Sequence, residues 1–389
     1  MHNKNTPSRF EQTILDDPKN IDHYLVYADW LSEQGNPLGE FISIQLALEE
    51  EGHSSKQRKQ LKKREQELLD KNIDDWLGPL AAYYLNDDSI EKSDGYRNYS
   101  YEFNFSRGFL SDIVVDLMNV PFAWALHHSP ACKWLKKLSI NESEYLSKNI
   151  TIEDKTYKET QIEPLIGAQF QHLNYFRIGL ESDGLDSCYA SGSEVHALLP
   201  TMPHIETLYL AASSIQCKTL FAHPMPKLKH LTVHHLYEYP LSILAENPSL
   251  TQLETLCMFP HMYHDGDPYL DLNDLDAIIH SPYLKKLIYL QFNGSVAGDD
   301  GLKHIIQSGF LSQLKVLDFG YSGVTDKGVE LLLQAKETKQ LEQLILSGNY
   351  LTQNAIKQLK DSGINIVAIE QHDLSAMEND EHLYHGDME

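Results

Sequence analysis

The chain is poor in cysteine, poor in positive charge and without a long apolar run. Its cysteines are Cys132, Cys188, Cys217 and Cys257. They are too scattered for a disulfide framework or a paired-thiol zinc site, and they imply a reducing, cytoplasmic setting. Lys and Arg number 32 against 56 Asp and Glu, a net charge of −24. That excess should repel nucleic acid and anionic membrane surfaces, which need clustered cations, and favours solubility and a basic protein partner. No stretch of about 18 apolar residues is present, so no membrane span is expected. The opening "MHNKNTPSRFEQTILDD" lacks the apolar centre of a signal peptide. Also missing are G-x-S-x-G, G-x-x-x-x-G-K-[ST] and a G-x-G-x-x-G following a strand. Without them the sequence offers no nucleophile elbow and no phosphate cradle. The expectation is a protein that is not an enzyme and holds no cofactor.

What is present divides by pattern. At 389 residues the chain exceeds one ordinary core, so two units or one elongated one are expected. Residues 1–83 read as a small all-helical domain. Asp22 is placed to cap a helix with Leu25, Ala28 and Leu31 on one face. Gly35 suits a left-handed helix stop and Pro37 prevents continuation. A second helix should bury Phe41, Ile44 and Leu48. Six basic residues lie between Lys56 and Arg64. Glu65 and Glu67 follow them, which favours a self-paired, solvated helix face over a nucleic-acid contact. Residues 84–106 read as a linker or irregular hairpin.

From residue 107 to 371 the chain repeats itself. Leu314, Leu317, Phe319, Ser322 and Val324 map at an offset of 27 onto Leu341, Leu344, Leu346, Asn349 and Leu351. A step back of 27 gives Leu287, Leu290, Phe292, Ser295 and Ala297. Weaker copies are Leu135-Leu138-Ile140, Leu173-Phe176-Ile178, Ile205-Leu208-Leu210, Leu228-Leu231-Val233 and Leu253-Leu256-Met258. In L-x-x-L-x-L the last two apolar residues alternate on a short strand and point to one face. One repeat cannot bury that face alone, so stacked copies must form a parallel sheet covered by a return helix per repeat. The polar residues Ser213, Ser295, Ser322 and Asn349 should turn the chain and bond nearby backbone. Asp300 and Asp326 stand near the starts of return helices, where a carboxylate can cap free amides. "GINIVAIEQ", Gly363 to Gln371, reads as a closing strand, and residues 372–389 as an acidic, disordered tail.

The repeats resemble leucine-rich repeats, in the ribonuclease-inhibitor-like form with an intact return helix. The segments "LVYADWLSEQGNPLGEFISIQLAL" (25–48), "REQELLDKNIDDWLGPL" (64–80) and "RGFLSDIVVDL" (107–117) resemble the bacterial repeat-companion domain. The resemblance implies an α/β fold: a leucine-rich-repeat solenoid, or horseshoe, preceded by a small all-helical N-terminal domain. It implies an architecture and no catalytic chemistry. One departure is Leu38, where that family often places Arg before "GEF", so an ion pair from this position to Asp29 or Glu40 is lost.

Candidate chemistry can then be weighed site by site. Tyr27, Asp29, Trp30 and Glu40 form either a recognition site or a packed helical corner, and rings at helical spacing favour the corner. His261, His264, Asp265 and Asp267 have metal-ligand chemistry but no helical spacing, which favours a polar loop and no bound metal. His234 and His235 should point to opposite sides of a strand. Cys257 should face outward. It is an inert exposed thiol unless His230 or His234 supplies the positive charge that makes a reactive thiolate. Strand residues between the buried leucines form the outward, concave face. Its partner-binding candidates are Tyr175, Arg177, Tyr209, His230, Thr232, His234, Cys257, Tyr289, Gln291 and Asp318. Amphipathic rings lose little rotamer entropy on binding, which suits them to interfaces. The function expected is non-catalytic protein–protein interaction through this face, as a scaffold, an inhibitor or an immunity-type protein. The alternatives are an adaptor presenting a protein to a separate modifying enzyme, and an effector secreted into a host cell.

Overall fold

The computed structural model describes residues 6–85, 99–143, 146–180, 190–235, 239–260 and 270–375. The candidate cluster His261, His264, Asp265 and Asp267, the thiol Cys188 and most of the acidic tail lie outside them. The chain forms two compact units. The first comprises residues 1–141, 145–175 and 200–204, and the second comprises 142–144, 176–199 and 205–389.

The first unit begins with helices α1 (Thr6–Asp16), α2 (Ile21–Glu33), α3 (Pro37–Glu49) and α4 (Ser55–Leu77), with a short α5 (Ala81–Tyr84) after them. Asn20, not Asp22, caps α2. Its side chain accepts from the Asp22 amide at 3.1 Å, leaving Asp22 in the first turn. The buried face of α2 is Tyr24, Tyr27, Ala28 and Leu31, whereas Leu25 is 44% exposed. The helical spacing of Leu25, Ala28 and Leu31 predicts Leu25 inside. Here the tyrosine rings win, because they stack with their neighbours: Tyr27 lies 5.7 Å from Phe10 and 6.5 Å from Phe109. Helix α2 stops at Gly35 (φ +67°), and the amide of Asn36 returns to the Leu31 carbonyl at 2.9 Å. Asn36 then caps α3 and Pro37 occupies its first turn. A Cβ on Gly39 would meet the Ala28 carbonyl at 2.5 Å, so a glycine lets α2 and α3 approach closely. Phe41 and Ile44 are buried as expected, and Leu48 is half-buried.

A β-hairpin is fastened to α3 by its turn. Strands β1 (Tyr101–Ser106) and β2 (Phe109–Leu117) form an antiparallel hairpin whose register shifts between Asn104 and Phe105, turning at Arg107 and Gly108. Arg107 grips Glu49 with Nε–Oε1 and Nη2–Oε2 distances of 2.8 Å, and Gly108 donates its amide to Gln45 Oε1 at 2.5 Å. The "RGF" turn thus serves as a clasp onto α3. Helix α6 (Val120–His128), strand β3 (Lys137–Glu142) and the small hairpin of β4 (Ile150–Ile152) and β5 (Lys155–Tyr157) follow.

The second unit is a leucine-rich-repeat solenoid. Strand β6 (Tyr175–Ile178) opens it, with the unit boundary falling after Tyr175. Then come α7 (Val195–Leu198), β7 (Thr207–Ala211), α8 (Cys217–Ala222), β8 (His230–His235), α9 (Leu241–Ala245), β9 (Thr255–Pro260), α10 (Leu272–His280), β10 (Tyr289–Phe292), α11 (Gly298–Gln307), β11 (Val316–Asp318), α12 (Asp326–Gln334), β12 (Gln343–Ile345), α13 (Gln353–Asp361) and β13 (Ile366–Val367). Strands β7 to β13 pair in chain order, all parallel. The register aligns Leu208, Leu231, Leu256, Leu290, Leu317 and Leu344 in one row, every one fully buried. Leu210, Val233, Met258 and Phe292 form a second buried row. Burial of a leucine is worth about 2 kcal/mol, and each rung gains it only when its neighbour is in place.

Polar residues lock the turns across repeats. Asn349, fully buried, accepts from the amides of Ser322 (3.0 Å) and Val324 (2.9 Å) and donates to the Phe319 carbonyl (2.9 Å). Ser322 Oγ donates to the Phe292 carbonyl at 2.9 Å. At the helix starts the working carboxylate is Asp299, not Asp300. Asp299 accepts from the Thr325 amide (2.8 Å), the Thr325 hydroxyl (2.6 Å) and the Gly328 amide (3.0 Å). One repeat on, Asp326 does the same for Thr352 at 2.9 and 2.8 Å. Asp299 and Asp326 are related by the 27-residue offset; Asp300 is one place out of register and exposed. The chain closes at β13, where Gln371 Oε1 accepts from the Leu351 amide at 3.0 Å and Nε2 donates to the Leu346 carbonyl at 2.9 Å.

Asp299→Ala should cost about 1–2 kcal/mol in urea unfolding, the scale of a lost helix cap, while Asp300→Ala should stay within about 0.5 kcal/mol of the parent. Equal effects of the two would remove the cross-repeat cap.

Candidate functional site

The side chains between the buried rows stand on the opposite face of the second unit's sheet. Strand pairing sets them in ladders. The first is Thr207, His230, Thr255, Tyr289, Val316 and Gln343. The second is Tyr209, Thr232, Cys257, Gln291, Asp318 and Ile345. A third, at the strand ends, holds Ala211, His234 and Phe259. Eight of the ten sequence candidates therefore share this face through direct register. Arg177 lies on β6, where its guanidinium donates to the Gly179 carbonyl at 2.6 Å. Tyr175 groups with the first unit.

The face is not uniformly open. Tyr209, His230, Thr232, Tyr289 and Gln291 are half-exposed. His234, Cys257 and Asp318 lie in register but are only 8%, 7% and 6% exposed. The expectation of an exposed thiol is thus corrected. Cys257 stands on the outward face by register, yet it is buried. Burial pushes its thiol up to about 12, with Thr232 hydrogen-bonded to it and Asp318 adding repulsion. Neither histidine activates it. His230 Nδ1 instead lies 3.0 Å from Thr255 Oγ1, and burial lowers His234 to about 4, keeping it neutral.

His234 and His235 do point to opposite sides. His234 packs against Phe259 (5.2 Å, edge-on) and Tyr209 (5.7 Å). His235 Nδ1 sits 3.2 Å from the Ala212 carbonyl, inside the turn layer. Asp318 is held by the Gly320 amide at 3.1 Å and by the Asn293 side chain, while burial raises it to about 6. Tyr289 is raised to about 12, chiefly by burial. Among the described residues no three metal-ligating side chains come together. Phe259 escaped the sequence reading because the L-x-L motif ends at Met258. Continuing the strand's two-residue alternation past the motif would have found it.

In the first unit Trp30 packs on Phe10 (5.4 Å), and fully buried Phe41 packs on Trp76 (4.8 Å). Glu40 takes both Nε and Nη2 of Arg64, at 2.7 and 2.8 Å. The corner around the "LGEF" stretch is filled by its own rings, and Arg64 occupies the carboxylate that an arginine at position 38 could have claimed. Arg64 also reaches Glu67 at 3.2 Å, so the basic run is in part self-paired.

The register, the buried ladders and the cross-repeat turns define a leucine-rich-repeat fold. No protein-family model matches the sequence, and no curated protein matches it. Among solved structures the chain is similar to a protein from Bacteroides fragilis at 17% identity, covering 83% of this chain and 87% of that one, with a TM-score of 0.48. It is also similar to an internalin from Listeria monocytogenes (14% identity, 68% and 64% covered, TM-score 0.36). A leucine-rich-repeat protein from Leptospira interrogans is a third (13% identity, 67% and 71% covered, TM-score 0.30). These are distant likenesses, and the architecture rests on this chain's own register.

Two measurements check the site. Cys257 should resist a thiol reagent in the folded protein and react only on unfolding, which a mass-resolved labelling series would show. An unfolded histidine titrates at the ordinary 6.5 and folded His234 at about 4, so the protein loses stability as pH falls through that interval. Relative to His234→Phe, the parent should lose about 2 kcal/mol more between pH 7 and pH 5, read from denaturant midpoints. Asp318 contributes with the opposite sign, and the comparison with His234→Phe cancels it.

Proposed function

We propose that this protein is a non-catalytic scaffold that binds a protein partner through the strand face of its repeat unit. The observation that carries this reading is the ladder of half-exposed Tyr, His, Thr and Gln side chains. They are mounted in fixed register on a buried sheet, so little conformational entropy is lost on contact. An inhibitor or immunity-type role is a specialisation of this scaffold, in which occupancy alone silences the partner. An adaptor would instead release a partner that a second enzyme has altered. The net charge of −24 would draw a cationic partner from a distance and make the on-rate fall with salt.

The test is affinity capture from the native cell with the parent and with a variant carrying Tyr209→Ala, His230→Ala, His234→Ala and Tyr289→Ala. The variant should lose at least one protein that the parent retains, with its circular dichroism unchanged. A variant that keeps every captured protein removes the strand face as the binding surface.

A further inference from the structure

We propose that the outward face of α2 is a second docking surface, and that it takes an amphipathic helix of a protein partner whose aliphatic stripe is bordered by Lys and Arg. The surface lies in the first unit and does not depend on the strand face. Two observations carry it.

The first is an apolar face that the fold leaves open. Ile21, Leu25 and Val26 are 45%, 44% and 55% exposed. The other large hydrophobic side chains exposed among the described residues are spread from Leu85 to Leu374. Single exposed aliphatic residues are ordinary on a protein surface, whereas a contiguous patch marks an interaction site. The core of the first unit does not use these three, because α2 packs through its tyrosine side. At 3.6 residues per turn they fall, with Asp22, Asp29 and Glu33, within about 140° of the helix circumference, away from the buried side. All six are exposed.

The second is the charge of that face. On the neighbouring helices acids are tied to bases: Glu11 to Lys133 at 2.6 Å, Glu40 to Arg64 at 2.7 Å and Glu49 to Arg107 at 2.8 Å. Asp22, Asp29 and Glu33 have no ion-pair partner among the described residues. Glu33 ends α2, and no basic residue stands in its last turn. Negative charge there opposes the helix dipole, and Asp29 and Glu33, four apart, repel each other. These two acids work against their own helix. A partner bringing cations would reverse both effects while covering the aliphatic side chains. Ile21 and Leu25, also four apart, form a short ridge of the kind that packs into the groove of a second helix. A second α2 or an anionic membrane would instead set acid against acid.

The experiment uses the full chain and three synthetic helical peptides of ~18 residues. The first carries a Leu and Ile stripe bordered by Lys. The second has the same stripe bordered by Glu, and the third has the Lys border with Ala in the stripe. The first should bind, and its affinity should fall severalfold between ~50 and ~500 mM salt. The other two should bind at least ~10-fold more weakly. Leu25→Gln and Asp29→Lys should each weaken the first peptide at least ~10-fold with the urea midpoint not lowered. Glu330→Lys makes the same charge change at an exposed acid of α12 and should alter affinity less than ~2-fold. The inference is overturned if the third peptide binds as well as the first, or if Glu330→Lys weakens binding as much as Asp29→Lys, since either result means attraction to the net charge of −24 alone. Binding indifferent to both α2 variants overturns it too. A concentration-dependent dimer that Leu25→Gln abolishes gives the face to a second copy, and a urea midpoint lowered by both α2 variants gives it to this chain itself; each overturns the proposal.

Discussion

A strand of two to six residues can neither bury its leucines nor satisfy its backbone alone, and the second unit follows from that constraint. Each rung of the sheet finds its hydrogen bonds in the rungs beside it. The turns after the strands obey the same rule, since the Asn349 side chain serves the backbone of the preceding repeat. Stability is therefore shared between neighbours, and the outward side chains inherit a fixed spacing from the inward ones. A binding surface built this way is set by residues that never touch the ligand.

Much of this was legible in the sequence because leucine burial is periodic. The offset of 27 residues recovered the strand register over the last repeats to the residue. The misplacements have particular physical causes. Asp300 was favoured over Asp299 because proximity to a helix start was read within one repeat, whereas the cap reaches into the next. Leu25 was placed inside because ring stacking among Tyr27, Phe10 and Phe109 involves residues far apart in sequence. Cys257 was assigned to the correct face, but its burial depends on side-chain directions that alternation does not encode.

The N-terminal corner shows how a motif rich in acids and rings can be structural. Gly39 admits a close helix contact, Arg64 takes Glu40, and Arg107 clasps Glu49. The acids of "LGEF" and its surroundings are tied to arginines distant in sequence, which is why the stretch looks like a ligand site when read alone. Among the described residues, the apolar side chains left exposed on α2 are Ile21, Leu25 and Val26.

The caps at Asp299 and Asp326 have an evolutionary corollary. Each carboxylate is supplied by one repeat and consumed by the next, at a constant interval. Duplication or excision of 27 residues in frame would hand every threonine an equivalent acid, whereas a shift of one residue would orphan a helix start. Only the last repeats share this interchange: 27 residues before Thr325 stands Gly298, and 27 before Asp299 stands Leu272.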